Sequence, residues 1–248
     1  MVEQKLAEKT SLFDLDNNGK EEFVDFNNDS RENNLSHLHV RSSAYDLIDQ
    51  ENFYGKITNI FSINWNVDEN KEIFVPYSRN DSLFLRILDK NGKVLKKEIF
   101  LYSGKTLVDE NGFAAWRGII DQIESVDIDA DGEKEFIFFA NESIAKSPRG
   151  VFVFNRNFDL LWKYEIGPRL SKMPIIYDFN GDGLFEIILP TSAPNNGNRA
   201  NGTDDEHSYI IAINHLGQEL WTKKISGSFS SVKTKLVDIN DPVDLLPF

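Results

Sequence analysis

Apolar residues in this chain come in short runs separated by polar turns, and the runs are too brief and too rich in β-branched and aromatic residues for helices. Ile211-Ala-Ile213-Asn214-His-Leu-Gly217-Gln-Glu-Leu220-Trp221 shows the pattern of strand, polar turn and second strand. Val151-Phe-Val-Phe154-Asn155 leading to Leu161-Trp162 repeats it, as does Leu83 to Leu88 followed by Asp89-Lys-Asn-Gly92 and Leu95. In each, an apolar residue before the turn precedes one after it by seven positions (Leu88/Leu95, Phe154/Leu161, Ile213/Leu220), and Val40/Leu47 keeps the same interval. These segments read as β-hairpins, with Asn91-Gly92 as a turn signal. No stretch has a convincing 3.6-residue period, so the expected fold class is all-β.

A second pattern, of carboxylates and amides, recurs between the hairpins. Its copies are Asp14-Leu-Asp16-Asn-Asn18-Gly19-Lys20-Glu21-Glu22, Asp127-Ile-Asp129-Ala-Asp131-Gly132-Glu133-Lys134-Glu135 and Asp178-Phe-Asn180-Gly-Asp182-Gly183-Leu184-Phe185-Glu186. Each has an oxygen-bearing side chain at positions 1, 3, 5 and 9, glycine at position 6, and runs into an apolar strand. A degraded copy, Asn64-Trp-Asn66-Val-Asp68-Glu69-Asn70-Lys71-Glu72, has Glu69 in place of the glycine, and Asp238 to Pro247 resembles the unit shortened by two residues. A strand is expected before each motif, at Ile57 to Ile63, Ile119 to Val126, Met173 to Tyr177 and Val232 to Val237. One unit is therefore strand, acidic loop, strand and hairpin. Four strands in roughly 50 to 60 residues is the size of a β-propeller blade. The expectation is a single propeller, or propeller fragment, over 1–248, with units at 1–52, 53–101, 102–168 and 169–226 and a partial fifth at 227–248.

Oxygen ligands at positions 1, 3, 5, 7 and 9 of a tight loop suit a hard cation, calcium before magnesium, with position 7 offering its backbone carbonyl. Glycine at position 6 permits the sharp turn. An EF-hand would need a bidentate Glu at position 12, where Asp25, Phe138 and Leu189 stand, and flanking helices in place of strands. The motifs resemble those of FG-GAP/VCBS repeat proteins, whose blades, like those of the integrin alpha-chain propeller, carry Asp-x-Asp-x-Asp-Gly-x-x-Asp loops. The resemblance spans nearly the whole chain. It implies a propeller with about three Ca2+ ions, held by Asp14, Asp16, Asn18, Lys20 and Glu22, by Asp127, Asp129, Asp131, Glu133 and Glu135, and by Asp178, Asn180, Asp182, Leu184 and Glu186. Lys20, Glu133 and Leu184 would offer only carbonyls. A fourth site at 64–72 is put in doubt by Glu69 and by amides at Asn64 and Asn66. The resemblance further implies a secreted, cell-surface or periplasmic protein that binds a protein or carbohydrate partner.

Charge sharpens this picture. The 248 residues hold 40 Asp+Glu and 27 Lys+Arg, a formal net charge of −13. No Lys/Arg cluster exceeds a pair, which argues against a nucleic-acid partner. Without cysteine there are no disulfides, zinc-thiolate sites or thiol catalysis. No apolar run is long enough to insert in a membrane, and Met1-Val2-Glu3-Gln4-Lys5 lacks the apolar core of a signal peptide. Much of the negative charge sits in loops where calcium would neutralise it.

Enzyme signatures are thin, and the expectation is a non-enzymatic module. Ser103-Gly104-Lys105-Thr106 lacks the earlier glycine of a phosphate loop, and Ser228, Ser230 and Ser231 have no His or Asp at triad spacing. The alternative is the propeller of a polysaccharide lyase or of a quinoprotein-like dehydrogenase, the latter slightly favoured by the Gly-x-x-Leu-Trp of the fourth hairpin. Trp162 and Trp221 share a repeat position and read as packing residues; Trp65 and Trp116 are the better candidates for ligand contact. His37 and His39 read as solvated or packed against the hairpin. The insertion Ser192 to His207 is polar and glycine-rich, and its composition predicts a mobile loop rather than a recognition loop.

Overall fold

The computed structural model describes residues 9–28, 35–66, 68–106, 118–141, 146–171 and 174–235. Among them every regular element is a β-strand. The first sheet is an antiparallel meander of β1 (Lys9–Phe13), β2 (Glu22–Asn28), β3 (Leu35–Arg41) and β4 (Leu47–Tyr54). The second holds β5 (Lys56–Ile57), β6 (Phe61–Ile63), β7 (Glu72–Arg79), β8 (Ser82–Leu88) and β9 (Val94–Ser103). A short strand, β10 (Lys105–Thr106), pairs with β13 (Lys146–Ser147). The third sheet is β11 (Ile120–Val126), β12 (Glu135–Asn141), β14 (Arg149–Phe154) and β15 (Leu160–Glu165). The fourth is β16 (Arg169–Leu170), β17 (Ile175–Tyr177), β18 (Glu186–Ser192), β21 (Ser208–Ile213) and β22 (Glu219–Ser226), with β19 (Arg199–Ala200) and β20 (Thr203–Asp204) forming a separate small ladder.

Successive sheets pack face to face in chain order. Leu15, Val24, Phe26, Leu38, Val40 and Phe53 of the first unit bury against Ile73, Val75 and Tyr77 of the second. From the same strand, Phe74 points the other way, toward Phe136, Phe138 and Phe154 of the third. Alternation then carries Ile137, Phe139, Val151 and Val153 to Ile187, Leu189 and Ile211 of the fourth. The inner sheets are thus covered on both faces. This is why Glu135-Phe-Ile-Phe-Phe-Ala-Asn141 reads as an unbroken apolar run and is buried along its length.

The hairpins share one turn geometry. Residues Ser42, Asp89, Asn155 and Asn214 open the turns, and the N–H of each bonds the carbonyl four residues on. Their side-chain oxygens in turn accept N–H groups two and four residues later. The fourth position is left-handed in all of them, at Tyr45, Gly92, Phe158 and Gly217. Gly92 and Gly217 also meet a neighbour: a methyl on Gly217 would lie 2.5 Å from the Trp162 ring of the preceding sheet. Each hairpin contains a bulge, so the residues seven apart are offset rather than directly paired.

In two sheets the edge ahead of the acidic loop is interrupted, and one of the interruptions falls inside an expected strand. Ile57 to Ile63 splits into β5 and β6, and the strand expected at Met173 to Tyr177 is β17, preceded by the separate β16. Pro76 and Pro190 explain both, because proline has no N–H for the ladder. Their carbonyls instead receive the N–H groups of Thr58 and Ser171. In the third sheet Phe139 stands at the equivalent place, and β11 runs on with only a bulge. Val232 to Lys235 is not a strand; it is joined to the fourth sheet by the Ser192/Ser231 bridge and by Val232 N–H to Thr191. The rest of that expected strand, the shortened fifth loop at 238–247 and Trp116 lie outside the described residues.

Tyr77 and Tyr164 give the fold an alkaline limit. Burial, followed by the hydrogen bond to Glu98, pushes the Tyr77 hydroxyl up to about 12 from its ordinary 10. Burial and Glu219 move Tyr164 the same way. The folded protein keeps these protons after the unfolded chain has released them, so their contribution is complete below pH 10 and is lost as pH rises through the folded values. Denaturant midpoints measured from pH 9 to 12 are expected to fall across that window, and Tyr77→Phe to flatten the fall.

Candidate metal centre

All four acidic loops are closed by the same bond. The N–H at position 2 donates to the position-9 glutamate, from Leu15 to Glu22 (3.1 Å), Trp65 to Glu72 (2.8 Å), Ile128 to Glu135 (3.1 Å) and Phe179 to Glu186 (2.8 Å). Position 1 organises the turn where it is Asp. Asp14 accepts the N–H groups of Asn18 and Gly19, Asp127 those of Asp131 and Gly132, and Asp178 those of Gly181 and Gly183. The position-6 glycines have φ of 81° (Gly19), 95° (Gly132) and 88° (Gly183), a left-handed conformation that glycine adopts without penalty. Position 5 accepts the N–H of position 7: Asn18 from Lys20, Asp131 from Glu133 and Asp182 from Leu184.

Position 3 divides the loops into two kinds. In the first and third it is Asp, and a carboxylate oxygen from each of Asp14, Asp16 and Glu22, and from each of Asp127, Asp129 and Glu135, lies within 4.8 Å of the others. In the second and fourth it is Asn. Asn66 donates to Glu72 at 2.6 Å, and Asn180 donates to Glu186 at 3.2 Å and Asp182 at 2.9 Å. An amide proton there occupies the place where a cation would otherwise join two carboxylates. The structure therefore brings together six of the residues singled out by sequence. It leaves Asn18, Asp131, Asp182 and the residues at position 7 in turn-closing hydrogen bonds.

Burial raises the position-9 glutamate above its usual range in one loop of each kind, Glu72 as well as Glu135. At Glu135 burial is opposed by the Ile128 N–H and reinforced by Asp129, Asp131 and Asp127. Among the described residues no lysine, arginine or histidine forms an ion pair with Asp127, Asp129, Asp131 or Glu135, whereas Lys90 approaches Asp16 at 3.8 Å and Arg156 holds Glu133 at 3.1 Å. Asp178 is shifted down, chiefly by the Gly183 N–H. Three clustered carboxylates without a counter-charge form a donor set suited to a hard divalent ion.

Trp65 is the position-2 residue of its loop; it packs on Phe158 and donates Nε1–H to the Arg156 carbonyl, fastening the second loop to the third sheet. One sequence expectation, that for 192–207, is corrected here. Ser192 to His207 is not a mobile loop. Its Asp205, wholly buried, accepts N–H groups from Asn196 (3.2 Å) and Gly197 (3.0 Å) and faces the buried Arg149 of β14 at 3.4 Å. Arg149 also donates to the Gly167 carbonyl, and Asn198 to Ile166 and Gly167. Composition concealed this because the partners come from another unit. His39 and Arg41 are both held by Asp25 at 2.8 Å, and His37 by Asn52, on the outer face of the first sheet. A cleft of about 490 Å³ lies between the second and third loops, walled by Trp65 and polar at Asn64, Asp68, Glu133, Lys134 and Arg156.

Among the described residues, fold and loops together define an all-β arrangement whose four larger antiparallel sheets each carry one acidic loop, entering β2, β7, β12 and β18. No protein-family model matches the chain, and no curated protein matches it. Solved structures do. The V. cholerae biofilm matrix protein Bap1 is 17% identical with a TM-score of 0.38, over 88% of this chain and 40% of its own. BBS1N in complex with ARL6DN is 10% identical with a TM-score of 0.45, over 87% of this chain and 68% of its own. This chain thus spans about two-fifths of Bap1.

Proposed function

We propose that this chain is a calcium-stabilised, non-enzymatic binding module, built as a β-propeller or a large part of one, in a secreted, cell-surface or periplasmic protein. The observation that carries this reading is the pair of carboxylate triads, Asp14/Asp16/Glu22 and Asp127/Asp129/Glu135. Each sits on a loop whose position-2 residue is buried against the following sheet. An ion there would tie loop, strand and neighbouring sheet together, a structural role. Exposed loops with few charged ligands suit the weak affinities of extracellular calcium modules. The packing of each sheet on the next in chain order is that expected of propeller blades and supports the FG-GAP/VCBS reading. The cleft between the second and third loops, with Trp65 beside amide, carboxylate and cationic groups, offers a polar partner such as a glycan or a protein loop both stacking and hydrogen bonds.

Asp129→Asn tests the metal reading, because it converts the third loop to the kind seen at Asn66 and Asn180. Calorimetric titration of the unaltered protein is expected to show calcium uptake at the first and third loops, with weaker uptake at the fourth. The variant loses the third-loop component, yet in EGTA it melts no lower than the parent, since an amide–carboxylate bond replaces a repulsion. No calcium heat in either protein would overturn the reading. Turnover of polysaccharides, or a bound-cofactor spectrum, would overturn its non-enzymatic part.

A further inference from the structure

Asn141, the last residue of β12, clamps the sheet that follows. Its side chain donates to the Leu170 carbonyl at 3.1 Å and accepts the Leu170 N–H at 3.0 Å. Asn28 makes the same pair of bonds to Ile57 between the first and second sheets. The third sheet adds a bulge beside its clamp: Ile120 pairs with Ala140 and Gln122 with Phe139, so Asp121 is an extra residue in β11. Neighbours on a regular strand face opposite sides, and a bulge re-aims them. Asp121 and Gln122 accordingly line one cavity of about 420 Å³ between the third and fourth sheets, at the strand ends away from the acidic loops.

This cavity holds charges of both signs that the protein leaves unpaired. Asp121 accepts an N–H of Asn141 at 2.5 Å and, among the described residues, faces no cation at ion-pair distance. Gln122 donates its amide N–H to Glu124 at 2.6 Å, which leaves its carbonyl oxygen as an acceptor. Arg169 of β16 lines the same cavity, next to its ladder partner Ser192. Its guanidinium forms no hydrogen bond or ion pair among the described residues, although Nε is buried. A buried donor without an acceptor is unfavourable, and a carboxylate is the acceptor that a guanidinium pairs with best. Phe139 and Leu170 supply an apolar part of the wall.

We propose that this cavity binds a free α-amino acid with an apolar side chain. The ligand's carboxylate pairs with Arg169 and the Ser192 hydroxyl, its ammonium with Asp121 and the Gln122 carbonyl, and its side chain packs on Phe139 and Leu170. A simple anion would satisfy Arg169 but bring a second negative charge toward Asp121, and a simple amine would do the reverse beside Arg169. A zwitterion meets both, and the volume is that of a small-molecule site. The site is separate from the cleft between the second and third loops, and it does not require the acidic loops to hold ions.

Nitrogen-15 spectra of the full chain test this with L-leucine and with two analogues that each lack one of its charges, isocaproate and isoamylamine. Leucine is expected to shift the amides of Asp121, Gln122, Asn141 and Ser192, and each analogue to bind about tenfold more weakly or worse, as when a charged hydrogen-bond partner is removed. Arg169→Gln removes no side-chain bond among the described residues, so this variant keeps the parent's melting temperature but binds leucine no better than isoamylamine. Asp121→Asn keeps an oxygen for Asn141 and abolishes instead the preference for leucine over isocaproate. Absence of leucine-induced shifts at these amides would overturn the proposal. So would isocaproate binding to the parent as tightly as leucine, because the cavity would then be a general anion site.

Discussion

Chelation of calcium is expected to lower the melting temperature by about 10–20 °C. A site held at a hundredfold its dissociation constant adds about 2.7 kcal/mol, and two such sites add about 5 kcal/mol. For a chain of this size each kcal/mol moves the midpoint by about 2–4 °C. The first and third loops are expected to supply this shift, because among the described residues it is there that three carboxylates converge within 4.8 Å. The doubly substituted Asp14→Asn, Asp127→Asn chain should lose most of its dependence on EGTA, keeping only the part due to weak uptake at the fourth loop. Each substitution keeps one oxygen for one of the two turn N–H groups that the two carboxylate oxygens accept separately, so each loop loses one hydrogen bond as well as charge, while the position-2 bond to glutamate remains. An unaltered protein whose midpoint ignores EGTA would remove calcium from the account of its stability.

The second large effect concerns Arg149 and Asp205, which are paired with essentially no solvent contact. Arg149→Met leaves the Asp205 carboxylate buried with backbone N–H partners but no cation. Breaking one side of a buried pair typically costs about 3–5 kcal/mol, or about 6–20 °C here. Asp205→Asn on its own should cost less, because its one oxygen can still accept from Asn196 or Gly197 and Arg149 keeps the Gly167 carbonyl. Combining the two removes both charges, and the double variant is expected to be more stable than Arg149→Met alone. If Arg149→Met melts within 2–3 °C of the parent, a loss of about 1 kcal/mol or less, the pair does not hold the 192–207 segment to the third sheet.

The hairpins and acidic loops were legible because their determinants are local. A turn opened by Ser42, Asp89, Asn155 or Asn214 is written within five residues, and a loop with aspartate at position 1 and glycine at position 6 within six. Tyr45 and Phe158 show the limit of that reading. They take the left-handed place of Gly92 and Gly217, and Phe158 is held there by stacking on Phe136 at 4.9 Å, a contact between residues 22 positions apart. The broken inner strands could have been anticipated from Pro76 and Pro190, since a missing N–H is a sequence fact, although its effect falls on the strand opposite. The order within 192–207 could not, because Asp205 finds Arg149 56 positions away. Nor does motif matching distinguish Asn180 from Asp129: both carry a ligand oxygen, and only the geometry shows the amide proton turned toward Glu186.

Alternation of Asp16, Asn66, Asp129 and Asn180 along the chain has a consequence for how ions would share the molecule. Loops that gather bare carboxylates are never on adjacent sheets; a self-closed loop always stands between them. Facing sheets lie about 10 Å apart, so divalent charges on the first and third would be separated by about 20 Å. At physiological salt the screening length is about 8 Å, and the two ions would scarcely sense each other. Each loop could then fill independently, without the mutual repulsion that would make the second ion harder to bind than the first.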